Sequence, residues 1–219
     1  MTVSGKVIAA QILQEIKNQV SHMEIAPHLT IFTCAPKFET QKYLDLKKQK
    51  AGEVGIQVNV VEFDKSVSTE EIIQSIKVAG MQTNGIVVQL PLPNQIDTDA
   101  VLQSIPLSYD VDGVHYDGTE STTLSPVTAA IKKISEIHDV LWAAQKVTVV
   151  GKGRLVGAPT SLWAQKQGAQ VTVITKDTDS EEANACIKEA DILVLGVGSP
   201  GMIVGDMIKE GVIIFDAGT

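Results

Sequence analysis

Residues 147–159 read VTVVGKGRLVGAP, a β-branched run followed by three glycines and then by a proline. A β-branched run favours a buried strand, and proline suits the first turn of a helix. The pattern therefore predicts a strand, a glycine loop and a helix in succession. Such a loop can hold the pyrophosphate of a dinucleotide, because its backbone N–H groups and the N-terminus of the following helix attract anions.

The glycine spacing in this loop is GxGxxxG, which is one residue longer than the common dinucleotide fingerprint. A glycine pattern alone is weak, so a tight turn in a domain that binds no nucleotide is the alternative. The position between a strand and a helix favours the dinucleotide site. The predicted cofactor-binding residues of this loop are Gly151, Lys152, Gly153, Arg154, Val156 and Gly157.

Strand-like and helix-like segments alternate on both sides of this loop. Downstream, the pattern predicts helices at 158–167 and 181–189 and strands at 171–174, 192–195 and 212–215. Two βαβ units in succession predict a right-handed parallel sheet of the doubly wound, Rossmann type. The chain breaks off at 216–219 directly after a strand that should be buried, so we expect the sequence to be a fragment.

Upstream of residue 118 the chain follows the same alternation. Helices are predicted at 4–21, 40–54, 68–79 and 97–104, and strands at 29–33, 56–63 and from 86 onward. Ser68 and Glu71 have the spacing of a capping box. A stretch rich in Ser, Thr and Gly at 118–123 is predicted to link two domains, 1–121 and 122–219. The fold class is therefore α/β, with two α/β domains.

The residues that follow the next two strands of the second domain indicate which dinucleotide binds. Thr175 and Lys176 follow the strand at 171–174, with Asp177 one step further. An acidic residue directly after this strand would accept hydrogen bonds from the ribose of NAD, whereas basic or hydroxyl groups tolerate the 2′-phosphate of NADP. NADP is therefore favoured over NAD. The loop with Gly196, Gly198 and Pro200 has small side chains that would let a nicotinamide ribose lie close, although it can equally be a turn.

Composition limits the partners and the location of the protein. Its 219 residues contain 18 basic and 26 acidic side chains, and the net charge of −8 disfavours nucleic acid and anionic membranes as partners. Cys34 and Cys186 lack metal-type spacing with each other or with the histidines, so no metal site is predicted. Because there is neither a membrane-length apolar run nor a signal-peptide core, we expect a cytoplasmic protein.

A second informative stretch is IVVQLPLP at 86–93, in which Gln89 interrupts an apolar strand-like run. A buried amide needs partners, since an unpaired polar group costs about 1–3 kcal/mol. A bound substrate is one candidate for that partner. Because proline cannot donate to a sheet ladder, the strand is predicted to end near Leu90.

Several motifs occur together, and with them the chain resembles the bifunctional methylenetetrahydrofolate dehydrogenase and methenyltetrahydrofolate cyclohydrolase family over nearly its whole length. The resemblance is specific, because the glutamine-proline and aspartate-glycine motifs are more distinctive than any glycine pattern. The motifs are YLDLKKQK at 43–50, VQLPLP at 88–93, DVDGVH at 110–115, VVGKGRLVGAP at 149–159, ADILV at 190–194 and GSPG at 198–201.

The resemblance implies a folate cleft between the two domains of a homodimeric enzyme. There 5,10-methylenetetrahydrofolate gives a hydride to NADP, and the methenyl product is hydrolysed to 10-formyltetrahydrofolate. Lys47 matches the acid/base lysine of the hydrolysis, since a lysine in a largely apolar cleft can exchange protons near neutrality. Gln89 matches the glutamine that holds this lysine, Tyr43 the tyrosine along the folate, and Asp112 the carboxylate that binds the pterin.

Each of these residues alone has an ordinary structural explanation, and it is their joint occurrence in the family's order that favours the site. The chain departs from the family in three places. The segment 33–40 lacks a glycine-containing loop, Thr128 stands where a glycine is usual, and the family's C-terminal segment is absent.

These departures keep other functions open. The alternatives are a dehydrogenase without cyclohydrolase activity and a catalytically silent folate- or nucleotide-binding relative. A dehydrogenase of the shikimate type is a further alternative on fold grounds, but it leaves Gln89 and its two prolines unexplained.

Overall fold

The computed structural model describes residues 2–199 and 201–218, and it divides into two compact units between Asp112 and Gly113. The Ser/Thr/Gly-rich stretch at 118–123 had instead predicted a boundary after residue 121. That stretch is an ordered turn of the second unit, because the Asp117 carboxylate accepts hydrogen bonds from the hydroxyls of Thr119 and Thr122 at 2.6 and 2.8 Å. These bonds hold the pKa of Asp117 down to about 2.

The first unit is an α/β layer built on a three-stranded parallel sheet with strand order β2-β1-β3. The central strand β1 is buried almost throughout, which explains its apolar composition. Its elements are α1 (Gly5–Ser21), β1 (His28–Cys34), α2 (Phe38–Glu53), β2 (Gln57–Phe63), α3 (Thr69–Ala79), β3 (Gly85–Val88), α4 (Thr98–Gln103) and a 3₁₀ turn at Leu107–Tyr109.

Local signals position several of these elements. Both hydrogen bonds of the predicted capping box at Ser68 and Glu71 are present at the start of α3, which confirms that prediction. Helix α2 begins at Phe38 rather than after Thr40, because the backbone N–H of Gln41 already donates to the carbonyl of Lys37 at 2.8 Å. The helix therefore starts one half-turn earlier than its apolar pattern indicates.

Strand β3 ends at Val88, so Gln89 lies one residue beyond it instead of inside a buried strand. The backbone N–H of Gln89 still donates to the carbonyl of Phe32 at 2.8 Å. Pairing stops there because Pro91 and Pro93 have no N–H to donate. The side chain of Gln89 is consequently half-buried and lies at the carboxyl end of the sheet, where α/β proteins bind ligands.

The second unit has a four-stranded parallel sheet with strand order β5-β4-β6-β7, which confirms the predicted doubly wound pattern. The chain passes from β4 to β5 on one side and then to β6 and β7 on the other. Its elements are α5 (Pro126–Ile137), β4 (Lys146–Val150), α6 (Gly157–Lys166), β5 (Gln170–Ile174), α7 (Ser180–Glu189), β6 (Ile192–Leu195), a 3₁₀ turn at Gly205–Met207 and β7 (Ile213–Asp216).

The fold accommodates the threonine at position 128, where the resemblance implies a glycine. Thr128 on α5 is fully buried, and its hydroxyl lies 2.9 Å from those of Ser125 and Thr160. A buried hydroxyl is tolerated when it is hydrogen-bonded, so this chain of three hydroxyls joins α5 to the first turns of α6. Within the part of the chain that the structure describes, no helix has the length and apolarity needed to cross a membrane.

Candidate functional site

The structure brings Lys47 and Gln89 into direct contact, although they lie on different elements of the first unit. Lys47 projects from the middle of α2, and its Nζ donates to the Oε1 atom of Gln89 at 3.0 Å. The amide nitrogen of Gln89 donates in turn to the carbonyl of Leu90 at 3.0 Å. Gln89 is thus held at both ends of its amide, and the predicted contact between its carbonyl and Lys47 is confirmed.

Asp112 belongs to the same polar cluster. An isolated parallel bridge between Ile86 and Asp110 holds this part of the chain beside β3. Burial raises the pKa of the Asp112 carboxyl above its ordinary value, the positive charge of Lys47 opposes the rise, and the negative charge of Asp110 adds to it. The half-buried Asp112 can therefore accept hydrogen bonds from a ligand at a place where few water molecules compete.

Tyr43 lies one turn before Lys47 on α2, so the two side chains share one face of the helix. The side chain of Tyr43 is 54% exposed and projects from the surface of the first unit. An exposed aromatic ring next to a polar cluster offers a flat surface for a ligand ring. The four residues predicted for catalysis therefore all lie in the first unit.

The raised pKa of Asp112 leads to a prediction about stability. Because the folded pKa lies above that of the unfolded chain, the ionised carboxylate lowers stability at neutral pH, and this cost disappears as the pH falls below the ordinary range of an aspartate. Asp112→Asn should therefore raise the thermal unfolding midpoint at about pH 7 and change it little at about pH 3.5. Circular dichroism measures both midpoints.

Glu120→Gln, at an exposed carboxylate of the second unit, is the control. A destabilised Asp112→Asn variant at neutral pH would mean that the carboxylate forms a favourable interaction with Lys47 that outweighs its burial.

In the second unit, the glycine loop connects β4 to α6 as predicted. Gly151 has a positive φ of 97°, which other residues adopt only with strain. A Cβ atom on Gly157 would overlap the carbonyl oxygen of Gly151, so the first turn of α6 packs directly against the loop backbone. Val156 precedes α6 and makes no side-chain hydrogen bond to the start of the helix. The loop has the close backbone approach that a pyrophosphate site needs.

The predicted cationic and hydroxyl groups surround this loop. Lys152, Gly153 and Arg154 are exposed at its tip. Thr175 follows β5 and begins a turn in which its Oγ1 accepts from the backbone N–H of Asp177 at 3.3 Å, and Lys176 is exposed in that turn. These groups can bind an anionic phosphate at the carboxyl ends of β4 and β5.

The third predicted loop follows β6 and encloses a cavity of about 240 Å³. The backbone N–H of Gly196 donates to the carbonyl of Val150 at 2.9 Å, which ties this loop to the end of β4. Gly198 lines the cavity, whereas Pro200 lies outside the residues that the structure describes. The loop therefore borders an open volume, and its contact with a nicotinamide ribose stays a prediction.

Two residues of this cavity, Asp216 and Gly218, were not among the predicted site residues. Both follow β7, and the backbone N–H of Gly218 donates to Asp216 Oδ1 at 3.0 Å. Their position after a predicted parallel strand was the signal available in the sequence, because ligands bind at that end of such strands.

Both units match one family. Residues 3–112 match the catalytic domain of tetrahydrofolate dehydrogenase/cyclohydrolase, and residues 125–219 match the NAD(P)-binding domain of the same family. The bifunctional protein FolD of Nautilia profundicola is 32% identical, and the alignment covers 98% of this chain and 78% of that protein.

Solved structures agree with this match. A bifunctional FolD methylenetetrahydrofolate dehydrogenase/cyclohydrolase from Campylobacter jejuni is 27% identical with a TM-score of 0.91, over 96% of this chain and 78% of the other. The Trypanosoma brucei enzyme, solved with NADP cofactor and inhibitor, is 26% identical with a TM-score of 0.92, over 100% and 79%. The chain therefore belongs to the tetrahydrofolate dehydrogenase/cyclohydrolase family.

Proposed function

We propose that this protein oxidises 5,10-methylenetetrahydrofolate to the methenyl form with NADP and hydrolyses that product to 10-formyltetrahydrofolate. The observation that carries the proposal is the hydrogen bond between Lys47 and Gln89 beside Asp112, in a unit that matches the family's catalytic domain. A lysine held by a neutral amide keeps a defined position while it remains free to exchange protons.

The first unit supplies the groups for hydrolysis. The oxygen of a water molecule bonds to the methenyl carbon, one carbon–nitrogen bond breaks, and one proton is released. Lys47 takes and returns the proton, and Gln89 orients its amine through the 3.0 Å hydrogen bond. Asp112 accepts from the amino and ring N–H groups of the pterin, and Tyr43 packs along the folate.

The second unit supplies the groups that hold NADP, which provides the acceptor for the hydride when it is bound. The loop between Gly151 and Gly157 fits a pyrophosphate, because side chains are excluded where its backbone packs on α6. Lys152, Arg154 and Lys176 are the cations for the 2′-phosphate, with Thr175 as a hydroxyl donor. An acidic residue of the kind that binds the ribose of NAD is absent from positions 175 and 176, so NADP is favoured.

Two absorbance assays test this function. With methylenetetrahydrofolate, NADP should be reduced at least about tenfold faster than NAD at equal concentration, because the cations bind the extra phosphate. Without NADP, the protein should accelerate the decay of added methenyltetrahydrofolate.

Each alternative function has its own outcome. NADP reduction without faster methenyl decay would identify a dehydrogenase alone. Calorimetry that detects folate binding without any NADP reduction would identify a catalytically silent relative. We also propose a cytoplasmic homodimer on the basis of the resemblance, and sedimentation equilibrium measures the assembly.

A further inference from the structure

The cavity at the carboxyl ends of β6 and β7 has both polar and apolar walls and carries one carboxylate, which is exposed. Leu195, Val197, Met202 and Ile203 contribute its apolar walls, and Asp216 is the single charged side chain among the described residues that line it. A carboxylate that lines a pocket attracts a positive charge bound in the same pocket.

The cavity lies next to the glycine loop. Val197 lines the cavity, and one of its methyl groups would lie 2.7 Å from a Cβ atom on Gly151. The cavity therefore lies beside the glycine loop, on the side of β6 and β7, with Val197 between them.

The strand order indicates which half of the dinucleotide reaches this cavity. In the order β5-β4-β6-β7, the groups suited to the 2′-phosphate, Thr175 and Lys176, follow β5 on one side of the loop. The adenosine half then lies toward β5, and the other half extends from the pyrophosphate toward β6 and β7. The nicotinamide end therefore meets the cavity and its carboxylate.

We propose that Asp216 makes this cavity selective for the oxidised, positively charged nicotinamide ring over the reduced, neutral one. The inference rests on the proposed function, because it requires that NADP binds to the second unit. The carboxylate attracts the charged ring, and this attraction is lost when the ring gains a hydride and becomes neutral. Asp216 thus favours binding of the oxidised cofactor and release of the reduced one.

The variant that tests this is Asp216→Asn. Asparagine keeps an Oδ1 atom that can accept the hydrogen bond from the Gly218 N–H, so the variant removes the charge and retains the local geometry. The dissociation constant of NADPH is measured by its fluorescence, and that of oxidised NADP by competition against NADPH. We expect the constant for oxidised NADP to rise about tenfold and that for NADPH to change less than about twofold.

Two further variants serve as controls. Asp206→Asn removes an exposed carboxylate of the same unit that does not line the cavity, and it should leave both constants unchanged. Asp216→Glu keeps the charge and should keep most of the preference for the oxidised form.

A salt titration of the unmodified protein gives a second measurement. Both forms of the cofactor carry the same phosphates, so salt weakens the phosphate contacts equally in both. The ratio of the two dissociation constants therefore reports only the charge of the nicotinamide ring. The preference for oxidised NADP should fall as ionic strength rises.

Equal weakening of both forms in Asp216→Asn, or a ratio that neither the variant nor salt changes, would overturn the inference and leave the proposed function standing. If the unmodified protein bound neither form, the inference and the NADP-dependent part of the proposed function would both fail.

Discussion

Lys47→Ala is expected to abolish the hydrolysis of methenyltetrahydrofolate, with a loss of at least about a hundredfold in rate. Lys47 is the proposed acid/base group, and alanine leaves the Gln89 carbonyl without its 3.0 Å donor. The dehydrogenase reaction needs positioning more than proton transfer, so part of it should remain. The decay of methenyltetrahydrofolate absorbance in the absence of NADP measures the first effect.

The matched control is Lys48→Ala, the next lysine on α2, which is exposed. Both variants remove one lysine from the same helix, so a difference between them reports the contact with Gln89 and not helix propensity. Full cyclohydrolase turnover in Lys47→Ala, alongside normal turnover in Lys48→Ala, would remove Lys47 from the mechanism.

Gly157→Ala is expected to weaken NADP binding by more than about tenfold and to destabilise the second unit by about 1–3 kcal/mol. The added methyl group would overlap the carbonyl oxygen of Gly151, which is backbone and cannot rotate away. The loop must therefore move from α6, and its N–H groups no longer converge on the pyrophosphate. NADPH fluorescence titration measures the affinity, and chemical denaturation measures the stability.

Gly205→Ala is the control for this variant, because a Cβ atom there meets nothing within 4 Å in the same unit. The cyclohydrolase reaction without NADP depends on residues of the first unit and should persist in Gly157→Ala. Normal NADP affinity in that variant would contradict the assignment of this loop to the pyrophosphate.

Local patterns in the sequence were sufficient for several features. The capping box at Ser68 and Glu71 needs only residues three apart, and the structure contains both of its hydrogen bonds. The glycine loop between β4 and α6 was predicted from 13 consecutive residues, 147–159. In each case the interacting groups lie within a few residues, so the local sequence is enough to define them.

Local sequence patterns predicted the end of a strand less accurately, because that end depends on pairing with a distant strand. Strand β3 stops at Val88, because pairing with β1 ends before the prolines, and Gln89 is half-buried beyond it. Asp216 was not predicted as a site residue, because it lines a cavity together with residues that follow β6, about twenty residues earlier in the chain. The roles of Tyr43 and Asp112 in folate binding remain predictions.

The sequence by itself determined the α/β alternation, the glycine loop, the family motifs and the residue types of the site. The tertiary structure decided the strand orders β2-β1-β3 and β5-β4-β6-β7, and it joined Lys47 to Gln89 across a separation of 42 residues. It also placed Asp216 in the cavity that Val197 lines next to Gly151. The physical reason is range: caps and loops are set by neighbouring residues, whereas sheet order and side-chain pairs depend on packing between distant segments.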